Sequence, residues 1–290
     1  MSAYEIKGKF AIVTGAGSGI CLAFTKKLLE GGCSVVMADV KLRPEAQEVL
    51  DQWSTVEEGK PIAHFQQTDI SDWAQISSLH LRAPLQHLLE RPRHLPLAED
   101  KVDCNPGVYK TFAVNTMGPI RLAQIAIDYW LENRNIEGNL LWMASLGGYV
   151  HSLQTPLYFA SKAAIVSFVK SLATLKKRVG IRNAAICPGA VYTPIFHPEY
   201  CRDRVRPDDL TMTPEQCADV LMTVLTQPEY GDGNIVETML IGTRDNPSVN
   251  VREVPLELLY PTVGPVGQDN HLLEEEEKLA DQLVKHGMRN

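Results

Sequence analysis

An apolar run, Phe10–Thr14, leads straight into Gly15-Ala16-Gly17-Ser18-Gly19-Ile20, and nothing else in the chain restricts its fold so tightly. The run reads as a buried strand, and residues 20–30 that follow read as a helix. Glycines between a strand and a helix allow a tight turn and close backbone approach to a ligand, and the helix N-terminus attracts a pyrophosphate. The pattern then repeats. Strands are predicted at Ser34–Asp39, Ile62–Gln66, Leu140–Ala144, Ala184–Cys187 and Ile235–Leu240, with helices at 44–52, 72–81, 117–133, 158–178 and 214–227. Short apolar runs alternating with longer helical patterns make βαβ units, and hence a parallel sheet. The chain is therefore predicted to be α/β, a doubly wound parallel sheet in one domain, residues 5–242. Residues 243–290 change character, rich in Pro, Val and Glu and then amphipathic around Leu272, Leu279 and Leu283. They are read as an ordered but peripheral C-terminal extension.

Composition narrows the functional classes. With 290 residues, 44% of them hydrophobic, the chain has enough apolar material for one domain with a large core. A net charge of −7 and a pI near 5.6 argue against nucleic acid, which needs a basic face. No apolar stretch approaches the roughly 20 residues that span a bilayer, and the start lacks the pattern of a secretory signal. The six cysteines show no C-x-x-C, which suits buried reduced thiols and a cytoplasmic protein. The eight histidines are scattered without ligand spacing, so no metal site is expected.

Tyr158-Phe159-Ala160-Ser161-Lys162 carries the chemistry, with Ser145 thirteen residues upstream. On a helix, positions i and i+4 share a face, so Tyr158 and Lys162 project together. A phenol ordinarily titrates near pH ~10. A neighbouring ammonium is expected to lower that toward neutrality, where general-base catalysis is efficient. The Ser145 hydroxyl can orient a substrate oxygen. Asp39 ends the second strand, where a carboxylate accepts hydrogen bonds from an adenosine ribose and repels a 2′-phosphate; NAD is thereby favoured over NADP. Lys41 and Arg43 keep NADP as the alternative. Asp69 either bonds an adenine amino group or caps a helix. Asn115 either caps the helix after it or holds a proton-relaying water. Cys187–Thr193 ends a strand at the carboxyl edge, where its backbone can hold a nicotinamide carboxamide with Thr193 as hydroxyl partner.

Taken in order, the Thr14–Ile20 loop, Asp39, Asp69, Asn115, Ser145, Tyr158, Lys162 and Pro188–Thr193 resemble the short-chain dehydrogenase/reductase family over residues 5 to about 242. The resemblance implies a Rossmann-like fold and a catalytic tetrad of Asn115, Ser145, Tyr158 and Lys162, with Lys162 also bonding the nicotinamide ribose. It implies cofactor contacts from Gly15, Ser18, Gly19, Ile20, Asp39, Asp69, Asn115, Tyr158, Lys162, Val191 and Thr193. The implied reaction is hydride transfer between NAD and a secondary alcohol or ketone, in a homodimer or homotetramer built on helices 117–133 and 158–178. Ser145-Leu146-Gly147-Gly148 and Thr155-Pro156-Leu157-Tyr158 look most like 15-hydroxyprostaglandin-dehydrogenase-like members. Fungal secondary-metabolite members are also similar, so a bulky lipid-like or polycyclic substrate is one expectation. An NADPH-dependent ketoreductase and a catalytically weak binding subunit are the alternatives.

Two departures stand out. Cys21 occupies the place of a further loop glycine, whose role is close helix–strand packing. Residues 82–97 hold three prolines and five Arg or His residues where the family has an apolar central strand. That composition argues against a buried strand there. A shifted reading frame and a divergent loop over the sheet each account for it.

Overall fold

The computed structural model describes residues 3–80, 87–89, 109–153, 155–196, 205, 209–255 and 272–287. Strand β1 (Phe10–Thr14) leads to helix α1 (Gly19–Glu30), β2 (Ser34–Asp39), α2 (Pro44–Trp53), β3 (Ala63–Gln67) and α3 (Trp73–His80). After β4 (His87–Leu89) come α4 (Gly118–Glu132), β5 (Asn139–Met143), α5 (Pro156–Ser171), α6 (Leu175–Val179) and β6 (Arg182–Pro188). Helix α7 (Pro214–Thr226), β7 (Asp232–Gly242), β8 (Pro247–Glu253) and α8 (Leu272–His286) complete the order.

The eight strands form one sheet in the order β3-β2-β1-β4-β5-β6-β7-β8. Strands β1 to β7 pair in parallel, and β8 runs antiparallel to β7. The order reverses beside β1, which makes the carboxyl edge of the sheet there the usual ligand position in such folds. Alternation along each strand feeds two cores. Val13, Met143 and Ile186 pack on one face with α1 and α7, while Ile12, Trp142 and Cys187 pack on the other with α4 and α5. Strands β5 and β6 are buried along their whole length, as central parallel strands covered on both faces must be.

Three expectations are corrected. The sheet does have a strand at its centre: β4 pairs Leu88 and Leu89 with Ile12 and Val13, and His87 and Leu88 with Asn139 and Leu140. Its three residues fall between Pro84 and Pro92, so the prolines remove no bond from this short ladder. The rest of residues 82–97 lies outside the described residues. The helix predicted over 158–178 is two helices. The Asn183 side chain donates to the Val169 carbonyl at 2.7 Å, and the Ala173 amide bonds Lys170 instead, which breaks the ladder between α5 and α6. The helix predicted from residue 117 begins earlier, with one turn at Lys110–Phe112 and a π-helical turn at Ala113–Met117.

Past Gly242, a tight turn with Gly242 at φ +94° brings β8 back along β7. Helix α8 meets α6 through an Arg178–Glu277 ion pair, and Arg134 donates to the Val284 carbonyl at 2.9 Å. No helix among the described residues is long and apolar enough to cross a membrane.

Candidate active site

The glycine loop is shaped by the end of β2. Gly15 takes φ +70°, open to glycine but strained for other residues, and donates to the Ala38 carbonyl at 2.8 Å. Asp39 Oδ2 accepts from the Gly17 amide at 2.9 Å, and a Cβ on Gly17 would collide with the Lys41 carbonyl. Asp39 therefore shapes the loop from the end of β2. Ser18, buried at the start of α1, makes no side-chain cap bond, and no acidic residue occupies the first turn. An α-helix start without a side-chain cap or a carboxylate suits an anion such as a pyrophosphate. Gly19 lies against Thr193, so the loop faces the Pro188–Thr193 segment. Cys21 is buried at the α1 position where the family pattern has glycine, and α1 packs on α7, whose Cys217 is also buried.

Asp69 is not the cap of α3. Its Oδ1 accepts from the Ser71 amide and hydroxyl at 2.9 and 2.7 Å, whereas Asp72 accepts from the Ala74 amide at 2.9 Å and caps the helix. Asn115 is not a cap either, since it sits inside the π-helical turn. Such single π turns are frequent at functional sites. Asn115 Nδ2 donates to Ser161 Oγ at 3.1 Å, and that hydroxyl donates to the Tyr158 carbonyl at 2.7 Å. The chain of bonds joins the π turn to the helix carrying Tyr158.

Ser145 begins a 3₁₀ turn, Leu146–Gly148, and its Oγ accepts from the Gly147 amide at 3.1 Å. That bond directs the hydroxyl proton away from the turn, and Ser145 is hydrogen-bonded to Tyr158. Tyr158 and Lys162 are both buried on one face of α5. The expected lowering of the phenol does not follow from this geometry. Burial pushes Tyr158 up to about 12; the Ser145 hydrogen bond pulls it down, and the nearby Cys187 pushes it up further. Lys162 instead anchors its ammonium on the Met143 carbonyl at 2.7 Å, at the end of β5. Desolvation of a charged phenolate is the largest of these effects.

Ser145 and Tyr158 open onto a cavity of about 360 Å³, which Ile20, Cys21, Val191 and Thr193 also line. Its remaining wall is largely apolar, with Leu146, Val150, Phe159, Ile195 and Phe196 contributing. Of these, Leu146 and Phe159 enter the sequence reading only as neighbours of Ser145 and Tyr158. The others carry no chemical signal in isolation and become wall residues only because two turns converge over the sheet edge.

The profile of the short chain dehydrogenase family matches residues 9–202. The chain belongs to that family. As a short-chain dehydrogenase it is an oxidoreductase, and relatives agree. It is 32% identical over 203 residues to the 15-hydroxyprostaglandin dehydrogenase [NAD(+)] of Bos taurus, covering 66% of this chain and 71% of that one. The Homo sapiens enzyme of the same name is 33% identical over 199 residues, with the same shares covered. An uncharacterized oxidoreductase of Staphylococcus epidermidis is 27% identical over 238 residues, 80% of this chain and 97% of that one. Among solved structures, a 3-ketoacyl-(acyl-carrier-protein) reductase from Brucella melitensis superposes with a TM-score of 0.65 at 24% identity, covering 81% of this chain and 98% of its own, which establishes the shared fold.

Proposed function

We propose that this short-chain dehydrogenase interconverts a secondary alcohol and a ketone on an apolar carbon frame, with NAD as the redox partner. The observation that carries the reading is the meeting of Ser145 and Tyr158 on one wall of an otherwise largely apolar cavity beside the glycine loop. Bound NAD supplies the hydride acceptor or donor at its nicotinamide ring. Gly15, Ser18, Gly19 and Ile20 would hold its pyrophosphate, Asp39 the adenosine ribose, Asp69 the adenine, and Val191 and Thr193 the nicotinamide carboxamide. The NAD assignment is supported by relatives whose names carry NAD(+).

Ser145 orients the substrate oxygen, and Tyr158 exchanges the proton with it. A phenol held near 12 keeps its proton at neutral pH, which suits donation to a ketone. In the oxidative direction Tyr158 must first release that proton, and the Ser145 hydrogen bond works in that direction. Lys162 is the residue to bond the nicotinamide ribose, and Asn115, tied to Ser161, supports the proton path. An apolar wall favours a lipid-like or polycyclic substrate, because polar frames lose water there without compensation. The same reading carries a cytoplasmic homodimer or homotetramer built on helices α4 and α5.

The test is a titration of the folded protein with NADH and NADPH side by side, followed by intrinsic fluorescence, and then a screen of secondary alcohols. Saturable binding that favours NADH is expected. Tighter NADPH binding moves the assignment to a ketoreductase served by Lys41 and Arg43. Failure to bind either cofactor sinks the reading and favours a catalytically weak binding subunit.

A further inference from the structure

The turn that carries Ser145 is braced from the sheet edge by residues outside the family's motifs. Four residues after Ser145, the Tyr149 hydroxyl donates to Glu237 Oε2 at 3.0 Å. Glu237 lies in β7 and is 5% exposed, paired in register with Cys187 of β6 on one side and Arg252 of β8 on the other. Arg252 closes a two-pronged bridge, Nε to Oε1 at 2.7 Å and Nη2 to Oε2 at 3.1 Å. A planar guanidinium facing a carboxylate this way fixes direction as well as distance. The chain of contacts thus runs from the C-terminal strand, through a buried carboxylate, into the turn whose first residue is Ser145.

We propose that Tyr149, Glu237 and Arg252 are positioning residues, through which β8 of the C-terminal extension holds the Ser145 turn in its working geometry. The inference rests on the proposed role of Ser145 as the hydroxyl that orients substrate. The protonation states agree with the geometry. Hydrogen bonding from Arg252 holds the Glu237 carboxyl below the usual carboxylate range, so it remains an acceptor. Burial first, then the nearby Cys187 and Glu237, push the Tyr149 phenol well above its ordinary value, so it remains a donor. Besides packing on α5, the turn makes local backbone bonds of its own. Gly148 donates to the Ser145 carbonyl at 2.9 Å, and Tyr149 and Val150 donate to the Leu146 carbonyl at 3.1 and 3.0 Å.

The experiment compares the full chain with Tyr149→Phe, Arg252→Ala and Arg252→Lys. It measures amide hydrogen exchange across residues 146–150, NADH affinity by fluorescence, and kcat and KM for 2-octanol oxidation with NAD. Loss of a hydrogen bond to a charged acceptor should speed exchange at Gly148, Tyr149 and Val150 about tenfold in Tyr149→Phe and Arg252→Ala. Arg252→Lys, which keeps the charge and one prong, should fall between. NADH affinity should stay within about twofold, and kcat should fall about tenfold with little change in KM. Unchanged exchange in Tyr149→Phe overturns the proposal, as does general loosening of Arg252→Ala while Tyr149→Phe is silent. Tyr149→Phe leaves the Glu237–Arg252 bridge intact, so it decides the matter even when Arg252→Ala does not fold. Absence of NADH binding by the unaltered chain would count against the function while leaving the exchange result to decide the brace.

Discussion

Single atoms decide the acid–base behaviour of this site. Tyr158 has the lysine four residues on that the sequence promised, yet burial governs its phenol, and the Lys162 ammonium is held by the Met143 carbonyl. Because burial raises the value, the neutral form is favoured, so rates should respond to pH differently in the two directions. Ketone reduction with NADH should be flat to at least about pH 9, and alcohol oxidation should climb through the alkaline range as the phenol ionises. Initial rates in both directions across roughly pH 6–10, a window that ends at the ordinary phenol value, check this. Tyr158→Phe should cost about 10²–10⁴ in kcat, the usual share of general acid–base catalysis, with NADH affinity nearly unchanged. Residual turnover within a factor of about ten of the unaltered chain would remove Tyr158 from the proton path.

Among the elements, the π-helical turn Ala113–Met117 and the start of α4 are fitted most closely to the site. Gly118 sits so near the Asp69–Ile70 loop that a Cβ would collide with the Ile70 carbonyl, which is backbone and cannot rotate away. Gly118→Ala should therefore shift α4, disturb the Asn115–Ser161 bond, and destabilise the fold by about 1–3 kcal/mol, the usual cost of overpacking. Thermal unfolding and NADH titration of the variant measure both effects. No change in either would show that the loop has room to give. The sequence marked Asn115 but not the π turn around it. Extra turns of this kind depend on what the widened backbone meets, here Ser161 from α5, and not on local propensity.

At the scale of the whole molecule, β8 extends the parallel sheet by an antiparallel strand, and the Glu237–Arg252 bridge fastens it. Glu237 faces Tyr149, Cys187 and Arg252, and its carboxyl is lowered in the folded chain, so its contribution is present above the ordinary carboxylate range. That contribution is lost as pH falls through the lowered value. The melting temperature of the unaltered chain should accordingly drop more steeply below about pH 4 than that of Glu237→Gln, which has no such proton to take up. Parallel slopes would show that the bridge does not contribute. Much of the architecture was legible beforehand, because strand and helix periods differ and a buried parallel strand is apolar throughout; β1 and β2 were predicted to the residue. The break between α5 and α6 was not, since it depends on Asn183 reaching the Val169 carbonyl from a strand distant in sequence. Nor was β4, whose three residues hold the sheet centre within a proline-rich stretch. What the sequence determined by itself was the fold class, the bounds of β1 and β2, and which residue types stand in the glycine loop and at positions 145, 158 and 162, because backbone period and chemical type are properties of short stretches. What only the tertiary structure decided was the height of the Tyr158 phenol, the apolar wall of the cavity and the reach of β8 to the Ser145 turn. Each of these depends on burial and on bonds between segments far apart in the chain, which no local pattern encodes.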